Sequence, residues 1–403
     1  MKFYELTPEK RRLWLKQQGI ELDEIDQQTL HALNQLSENV VGQLSLPVGL
    51  VKNLRVNDHS YLVPLVTEEP SVVAAANHGA SLFAQSGGVT ARSFRNGIYG
   101  QIVLEISEVF IIDNLKNYLP NLIAKTNKQF ASLVKHGGGV KEVKIKRQNT
   151  LLYLRVLINP AEAMGANRAN SILEYMASEL ANYSGIKKKL FAILSNYPSQ
   201  LTSCKAKLHV SLVGGAEVAT RIALLSQIGQ TDPYRAVTNN KGIMNGIDGV
   251  LLASGNDTRA VEAACGVWAS RQGTYRSLSS WQVEGENLLG QLTVPLALGT
   301  VGGSINSRKD VQQNYRILGQ GITSQVLANI IAAVGLANNL AALLAIATTG
   351  IQAGHMKLQA RNVIANLVAS PQEKRDVLAL MTKQHLYSQT DAQNFLKQLR
   401  EEK

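Results

Sequence analysis

Four ionisable residues lie in nearly uncharged surroundings, and their types could carry proton transfer and charge stabilisation. They are Glu69 in "EEPS", Lys241 in "TNNKGIMNGIDG", Asp257 in "ASGNDTRA" and His355 in "GIQAGHMKLQARN". A carboxyl group and an imidazole can transfer protons, and an ammonium can stabilise a developing oxyanion. Each residue also has a purely structural explanation. Glu69 could be an acidic helix cap, Lys241 a solvated loop residue, Asp257 a helix N-cap, and His355 a residue attracted to a helix C-terminus.

The sequence lacks the common short motifs for other chemistries. No G-x-G-x-x-G follows a predicted strand, no G-x-x-x-x-G-K-[ST] occurs, and "GQGITS" at 319–324 keeps only two of the glycines. A Rossmann domain or a P-loop is therefore not expected. No C-x-x-C, H-E-x-x-H or close histidine pair is present, so no metal site is expected. No G-x-S-x-G nucleophile elbow occurs either.

Composition indicates a large protein with anionic ligands. The chain has 403 residues, of which 45% are hydrophobic, and a formal net charge of +11. The basic residues are scattered and do not alternate with aromatic residues, which argues against nucleic acid. Phosphate-rich small molecules are the better match to this charge. The two cysteines, Cys204 and Cys265, do not suggest a disulfide framework, and a reducing, cytoplasmic location is expected.

One stretch, residues 326–350, resembles a membrane span in its apolar composition. Asn329, Asn338 and Asn339 interrupt it, and Gly335 divides it. Amides are costly in lipid, so the stretch predicts buried core helices and no membrane association.

The order of predicted elements indicates an α+β fold. Between residues 95 and 205 the patterns alternate as β-α-β-β-α-β, the split βαβ order of a ferredoxin-like domain. We therefore predict a small domain at 95–205 inserted into a larger mixed domain formed by 1–94 and 206–370. Two amphipathic helices in 371–403 predict a helical appendage that can move more readily than the core.

Seven motifs, taken in order along nearly the whole chain, resemble hydroxymethylglutaryl-CoA reductase of the soluble bacterial and archaeal type, class II. They are "ENVVG" (38–42), "EEPSVVAAA" (68–76), "AMGAN" (163–167), "YRAVTNNKGIMNGID" (234–248), "ASGNDTRAVEA" (253–263), "GTVGG" (299–303) and "GIQAGHM" (350–356). The resemblance implies reduction of 3-hydroxy-3-methylglutaryl-CoA to mevalonate and CoA with two NAD(P)H, in the mevalonate and isoprenoid pathway. It further implies a homodimer with shared active sites, a small domain that binds the nicotinamide cofactor, and a C-terminal flap.

The resemblance also assigns roles to the four ionisable residues. Glu69 would protonate the developing alcohol or aldehyde oxygen, and Lys241 would stabilise the negative charge on it. Asp257 would pair with Lys241 and tune the cluster. His355 would protonate the departing CoA thiolate. Two alternatives remain: the same enzyme working in reverse on mevalonate, and a reductase of a related acyl-CoA.

Further positions match the family's binding residues. Ser71, Arg235 and Asn245 would hold the substrate. The matching cofactor positions are Met164, Gly165, Asn167 and Asn196, and Lys125 and Lys128 lie in the segment on which the choice of cofactor depends. An acidic residue in this region would favour the bare 2′-hydroxyl of NAD. The segment "AKTNKQF" is basic and has no acid, so it predicts NADPH as the cofactor, with NADH possible. Glu162 stands where the family often has Asp, and the CoA phosphate site stays open among Lys10, Arg11 and Arg12.

Overall fold

The computed structural model describes residues 2–303, 305–350, 360 and 363–401. Its described strands are β1 (Val48–Val56), β2 (His59–Val66), β3 (Val89–Ser93), β4 (Ile98–Ile106), β5 (Gly139–Gln148), β6 (Leu151–Asn159), β7 (Ile186–Ser195), β8 (Leu201–His209), β9 (Ser279–Glu284) and β10 (Asn287–Pro295). Its helices up to residue 350 are α1 (Pro8–Gln17), α2 (Gln27–Asn34), α3 (Val72–Gln85), α4 (Ile112–Gln129), α5 (Ala131–Lys135), α6 (Ala166–Leu180), α7 (Ala216–Thr231), α8 (Pro233–Ala253), α9 (Thr258–Ala269), α10 (Lys309–Leu318) and α11 (Ser324–Ala347). Two compact units result, Met1–Pro47 and Val48–Lys403.

The first unit contains α1 and α2, and two arginines of α1 hold it together. The buried Arg11 guanidinium donates to Asn34 Oδ1 at 2.7 Å and to Val40 O at 3.3 Å. Arg12 donates to Val41 O at 2.6 Å. Guanidinium donors that are satisfied by the protein are poor candidates for phosphate binding. Of the three cations considered for the CoA phosphates, the exposed Lys10 is therefore the one that stays a strong candidate.

A six-stranded sheet forms the frame of the second unit. Its strand order is β2-β1-β3-β8-β10-β9, antiparallel except for the β1–β3 pair. The sheet and helices α3, α7 and α8 surround α11, and their apolar side chains form one continuous core. The α+β class predicted from the sequence is thus the observed one.

The apolar stretch expected to form several buried helices is one helix, α11. By length and composition it could cross a membrane, a test that core helices also pass, and 72% of its most apolar window is buried inside the protein. Gly335 does not divide it. A Cβ at Gly335 would lie 2.9 Å from Ile247 Cγ1, so this glycine permits close contact with α8.

A four-stranded antiparallel sheet is inserted between β3 and β8. Its order is β5-β6-β4-β7, and α4 and α6 cover one face with a hydrophobic core of their own. Along the chain these elements follow the order β-α-β-β-α-β, with the short α5 after α4. The predicted boundary at 205 falls inside β8, which belongs to the large sheet. Alternation of side chains identifies a strand but not the sheet that it joins.

The last part of the chain contains two helices, Pro371–Gln384 and Gln389–Glu401, as the amphipathic patterns predict. They pack on each other around a third, separate hydrophobic cluster that includes Val377, Met381 and Phe395. Arg400 joins them through an ion pair with Glu373 at 2.8 Å. Their role as a flap stays a prediction.

Close contact between α3 and α11 depends on the absence of a side chain at Gly79. A Cβ at this position would lie 2.3 Å from the backbone oxygen of Ala337, which cannot move away cheaply. Gly79→Ala should lower the free energy of unfolding by roughly 1–3 kcal/mol, as overpacked cores do. The measurement is urea denaturation followed by tryptophan fluorescence. Gly266→Ala in α9 is the matched control, because nothing lies within 4 Å of its added Cβ. Equal stability of both variants would contradict the packing argument.

Candidate functional site

An open pocket of about 580 Å³ lies between α3, α8 and α11. One part of its wall is polar and contains five residues predicted from the sequence: Glu69, Ser71, Arg235, Lys241 and Asn245. The other part is apolar and comes from α3 and α11: Val72, Ala74, Ala75, Ala341, Ala342, Ala345 and Ile346. A ligand with a charged end and an apolar part matches this division.

Lys241 and Glu69 form an ion pair within this pocket through Lys241 Nζ and Glu69 Oε2. The expectation of a loop around Lys241 is wrong, because the residue lies in the middle of α8. Its Gly-rich neighbours serve helix packing instead. A Cβ at Gly249, for example, would lie 2.6 Å from Leu65 Cγ. Lys241 and Asn245 are four residues apart, so the helix presents both on one face.

Ser71 has an unusual backbone conformation at the start of α3. Its φ is 77°, in the left-handed region, and it occupies the N-cap position directly after Glu69 and Pro70. Non-glycine residues adopt this conformation at a cost of about 1–3 kcal/mol and are found preferentially at functional sites. The turn directs both Glu69 and Ser71 into the pocket wall.

Two polar atoms in the pocket wall have no hydrogen-bond partner among the described residues. They are Arg235 Nε, a donor, and Asn338 Oδ1, an acceptor on the buried Asn338. Burial also lowers the pKa of Arg235, so the guanidinium lacks part of its usual solvation. Unsatisfied buried groups cost free energy that a bound ligand can recover. The wall is thus suited to a ligand with both a carboxylate and a hydroxyl group.

Sequence patterns missed some pocket residues, namely His78, Asn239 and Asn338. Helical spacing could have identified His78, which follows Ser71 by seven residues and therefore lies on the same face of α3. A polar residue within the apolar α11 was also a signal, since such a residue must find a buried partner or a ligand.

Asp257 has the structural role that the sequence allowed for it, that of a helix N-cap. It is the N-cap of α9, and its Oδ1 accepts a hydrogen bond from Ala260 N at 3.1 Å. The nearest cation in an ion pair with it is Arg259, at 4.0 Å. Lys241 pairs with Glu69 instead, and Asp257 does not line the pocket. The single chain therefore does not unite these two groups, and their pairing stays a prediction. His355, the fourth residue, lies outside the described residues.

Four of the predicted cofactor residues lie at or near the start of α6. Gly165 is its N-cap with φ 91°, and no side chain caps the first turn that contains Asn167. Met164 and Asn196 line one small cleft nearby. Uncapped N–H groups at a helix N-terminus attract phosphates, so these residues suit a dinucleotide.

Lys125 and Lys128 lie near the C-terminal end of α4, and both are exposed. Of the two, Lys128 forms no ion pair with a described residue. Lys125 pairs with Glu179 of α6, whose carboxylate raises the pKa of the lysine. The segment is free of acids in sequence, but α6 places one beside it in space. A basic site for a 2′-phosphate therefore rests mainly on Lys128.

The chain is similar to known proteins along most of its length. Residues 7–360 match the family model described as hydroxymethylglutaryl-coenzyme A reductase. The chain is 34% identical over 392 residues to the 3-hydroxy-3-methylglutaryl-coenzyme A reductase of Archaeoglobus fulgidus, covering 95% of this chain and 87% of that protein. It is 36% identical over 384 residues to the probable enzyme of Borreliella burgdorferi, covering 90% and 86%. The Streptococcus pneumoniae class II reductase, solved with NADPH in open conformations, matches with a TM-score of 0.76 and 37% identity over 97% of this chain and 99% of that chain.

A second ionisable group of α8, Asp248, lies outside the pocket lining. Burial, reinforced by neighbouring Glu262 of α9, raises the pKa of Asp248 to about 8. Its Oδ1 has no partner among the described residues. The folded protein therefore keeps a proton on Asp248 at pH values where the unfolded chain, with an ordinary aspartate pKa, has released it.

The raised pKa of Asp248 predicts how the free energy of unfolding changes with pH. Because the folded state binds this proton more tightly, the free energy of unfolding should fall as pH rises from about 5 to about 8. Asp248→Asn should reduce that slope and stabilise the protein at the alkaline end. Denaturant titrations at several pH values test this. Asp58→Asn, a change at an exposed acid, serves as control and should leave the slope unchanged. An Asp248→Asn variant with the parental slope would contradict the prediction.

Proposed function

The chain belongs to the hydroxymethylglutaryl-coenzyme A reductase family, and from this we propose how its pocket reduces 3-hydroxy-3-methylglutaryl-CoA to mevalonate and CoA. The supporting observation is the Lys241–Glu69 ion pair in a pocket with a polar end and an apolar arm. An acid beside a cation is the pair required to reduce a carbonyl, because hydride addition creates an oxyanion that must be stabilised and then protonated.

Substrate binding is assigned to the polar end. The Arg235 guanidinium pairs with the terminal carboxylate of the substrate. Ser71 and Asn245 hold the hydroxyl and carbonyl region, and Asn338 lines the same pocket. The apolar wall of α3 and α11 accommodates the pantetheine arm, which is long and uncharged.

Chemistry takes place at the thioester carbonyl beside Lys241. Bound nicotinamide supplies the two hydrides, one for each reduction. Lys241 Nζ stabilises the negative charge that develops on the carbonyl oxygen. Glu69 delivers the proton to that oxygen. His355 protonates the departing CoA thiolate, whose thiol has an ordinary pKa of about 8.5, so that it does not attack the aldehyde again.

Because Asp257 caps α9 and lies outside the pocket lining of its own chain, we assign it to the Lys241 of a partner subunit in a homodimer. The homodimer is the one implied by the family motifs. A cytoplasmic location agrees with two buried, free cysteines.

NADPH is the proposed cofactor, with NADH as the alternative. The first turn of α6, with Met164, Gly165 and Asn167, binds the phosphates, and Asn196 lines the adjoining cleft. Lys128 pairs with the 2′-phosphate. Lys125 provides a second positive charge when the phosphate replaces Glu179 as its partner. The domain roles follow: 95–205 binds the cofactor, 1–94 and 206–370 bind the acyl-CoA, and 371–403 closes the site.

The decisive assay follows NADPH or NADH oxidation with purified protein and 3-hydroxy-3-methylglutaryl-CoA. Glu69→Gln and Lys241→Ala should each lower kcat at least about 100-fold, the usual loss for an acid or an oxyanion donor. Glu284→Gln and Lys207→Ala, exposed residues on the large sheet, are the matched controls. No oxidation of either cofactor would reject the assignment. Oxidation with another thioester alone would favour the related acyl-CoA reductase, and mevalonate-driven cofactor reduction tests the reverse direction.

The role proposed for His355 can be tested by comparing two substrates, one that releases a thiolate and one that does not. His355→Gln should cripple reduction of the thioester yet largely spare reduction of mevaldehyde, which releases no thiolate. Lys241→Ala is the comparison variant, since it should impair both reactions. Equal losses of kcat/KM for the two substrates in His355→Gln would leave the histidine without this task.

A further inference from the structure

We infer that Asn239 and Asn339 are positioning residues that hold the Arg235 guanidinium in place for a substrate carboxylate. The inference rests on the substrate-binding role proposed for Arg235. It concerns a buried network that begins at the pocket wall and extends to the edge of the large sheet.

Asn239 is the residue through which the network meets the pocket. It is buried, lines the pocket, and lies one helical turn after Arg235 in α8. Its Oδ1 accepts hydrogen bonds from Arg235 Nη2 at 3.4 Å and from Asn339 Nδ2 at 2.9 Å. Its Nδ2 donates to Ser277 Oγ at 2.6 Å. With both ends of the amide occupied, Asn239 cannot rotate away from the arginine without losing buried hydrogen bonds.

Asn339 anchors Asn239 from α11. It is 1% exposed, and its Oδ1 accepts hydrogen bonds from Trp281 Nε1 at 2.7 Å and from Ser279 Oγ at 2.8 Å. The network therefore joins α8, α11 and β9. A fully satisfied buried network in a low-dielectric core is rigid, because each lost bond leaves an uncompensated polar atom.

Arg235 needs such support because its side chain is long and flexible. An arginine that is free to rotate loses rotamer freedom when it binds a ligand, which weakens binding. The guanidinium is half-buried, and its Nε remains unpaired while Nη2 is held by Asn239. The bond between Nη2 and Asn239 thus orients the fork in advance.

Direct binding of the free diacid 3-hydroxy-3-methylglutarate, measured by isothermal titration calorimetry, tests the inference on the full chain. Arg235→Ala should weaken binding at least about 30-fold, and Asn339→Ala about 5- to 10-fold. Ser277→Ala, a smaller change that removes the shorter hydrogen bond of Asn239 Nδ2, should weaken binding about threefold and guards against misfolding of Asn339→Ala. Asn329→Ala is the matched control, since Asn329 is a buried asparagine of the same helix outside this network.

Coupling between residues distinguishes positioning from general loss of structure. In the Arg235→Ala background, Asn339→Ala should cost less than about twofold, because there is no guanidinium left to orient. In steady-state assays, Asn339→Ala should raise KM for the CoA thioester but leave KM for NADPH and, within about twofold, kcat unchanged. An additive double variant, or an equal effect of Asn329→Ala, would overturn the inference. Unchanged binding in Arg235→Ala would instead reject the proposed role of Arg235 itself.

Discussion

Close packing of α11 against α3 and α8 is the constraint on which the rest of the structure depends. Small residues make it possible. Gly79 lies against the Ala337 backbone, Gly335 against Ile247, and Gly246 against Asn338 and Val334. Dense interiors tolerate little change in volume, so these contacts define where the three helices lie. The pocket is the space left where α3, α8 and α11 diverge, and its shape follows from that packing.

The same apolar helix also carries the polar groups that the site needs. Asn338 lines the pocket and has a buried oxygen with no hydrogen-bond partner among the described residues, while the next residue, Asn339, belongs to a network with Asn239 and Trp281. Burying amides is expensive unless every bond is made. The fully bonded Asn339 rigidifies the wall, and the unbonded Asn338 oxygen leaves free energy to be recovered by a ligand. One helix therefore serves as core and as binding surface.

Local sequence patterns predicted the helices and strands well, but they did not predict which of these elements lie next to each other in space. Amphipathic and alternating patterns predicted the order of the inserted elements and the two C-terminal helices. The Gly- and Asn-rich segment around Lys241 was expected to form a loop, because glycine lowers helix propensity, but here its glycines allow close helix contacts. The predicted boundary at 205 falls inside β8 of the large sheet, and alternation cannot show which sheet a strand joins. The segment around Lys128 contains no acid in sequence, but Glu179 of α6 lies beside it and pairs with Lys125.

The sequence alone determined the identity of the reacting groups, since a carboxyl, an ammonium and a guanidinium have their chemistry wherever they lie, and the ordered motifs assigned them to one family. The tertiary structure decided which of them meet. Glu69 and Lys241 are 172 residues apart in sequence and form one ion pair, whereas Asp257, much closer to Lys241 along the chain, caps a different helix. Proximity of this kind arises from the packing of elements that are remote in sequence, and no spacing within a single segment encodes it.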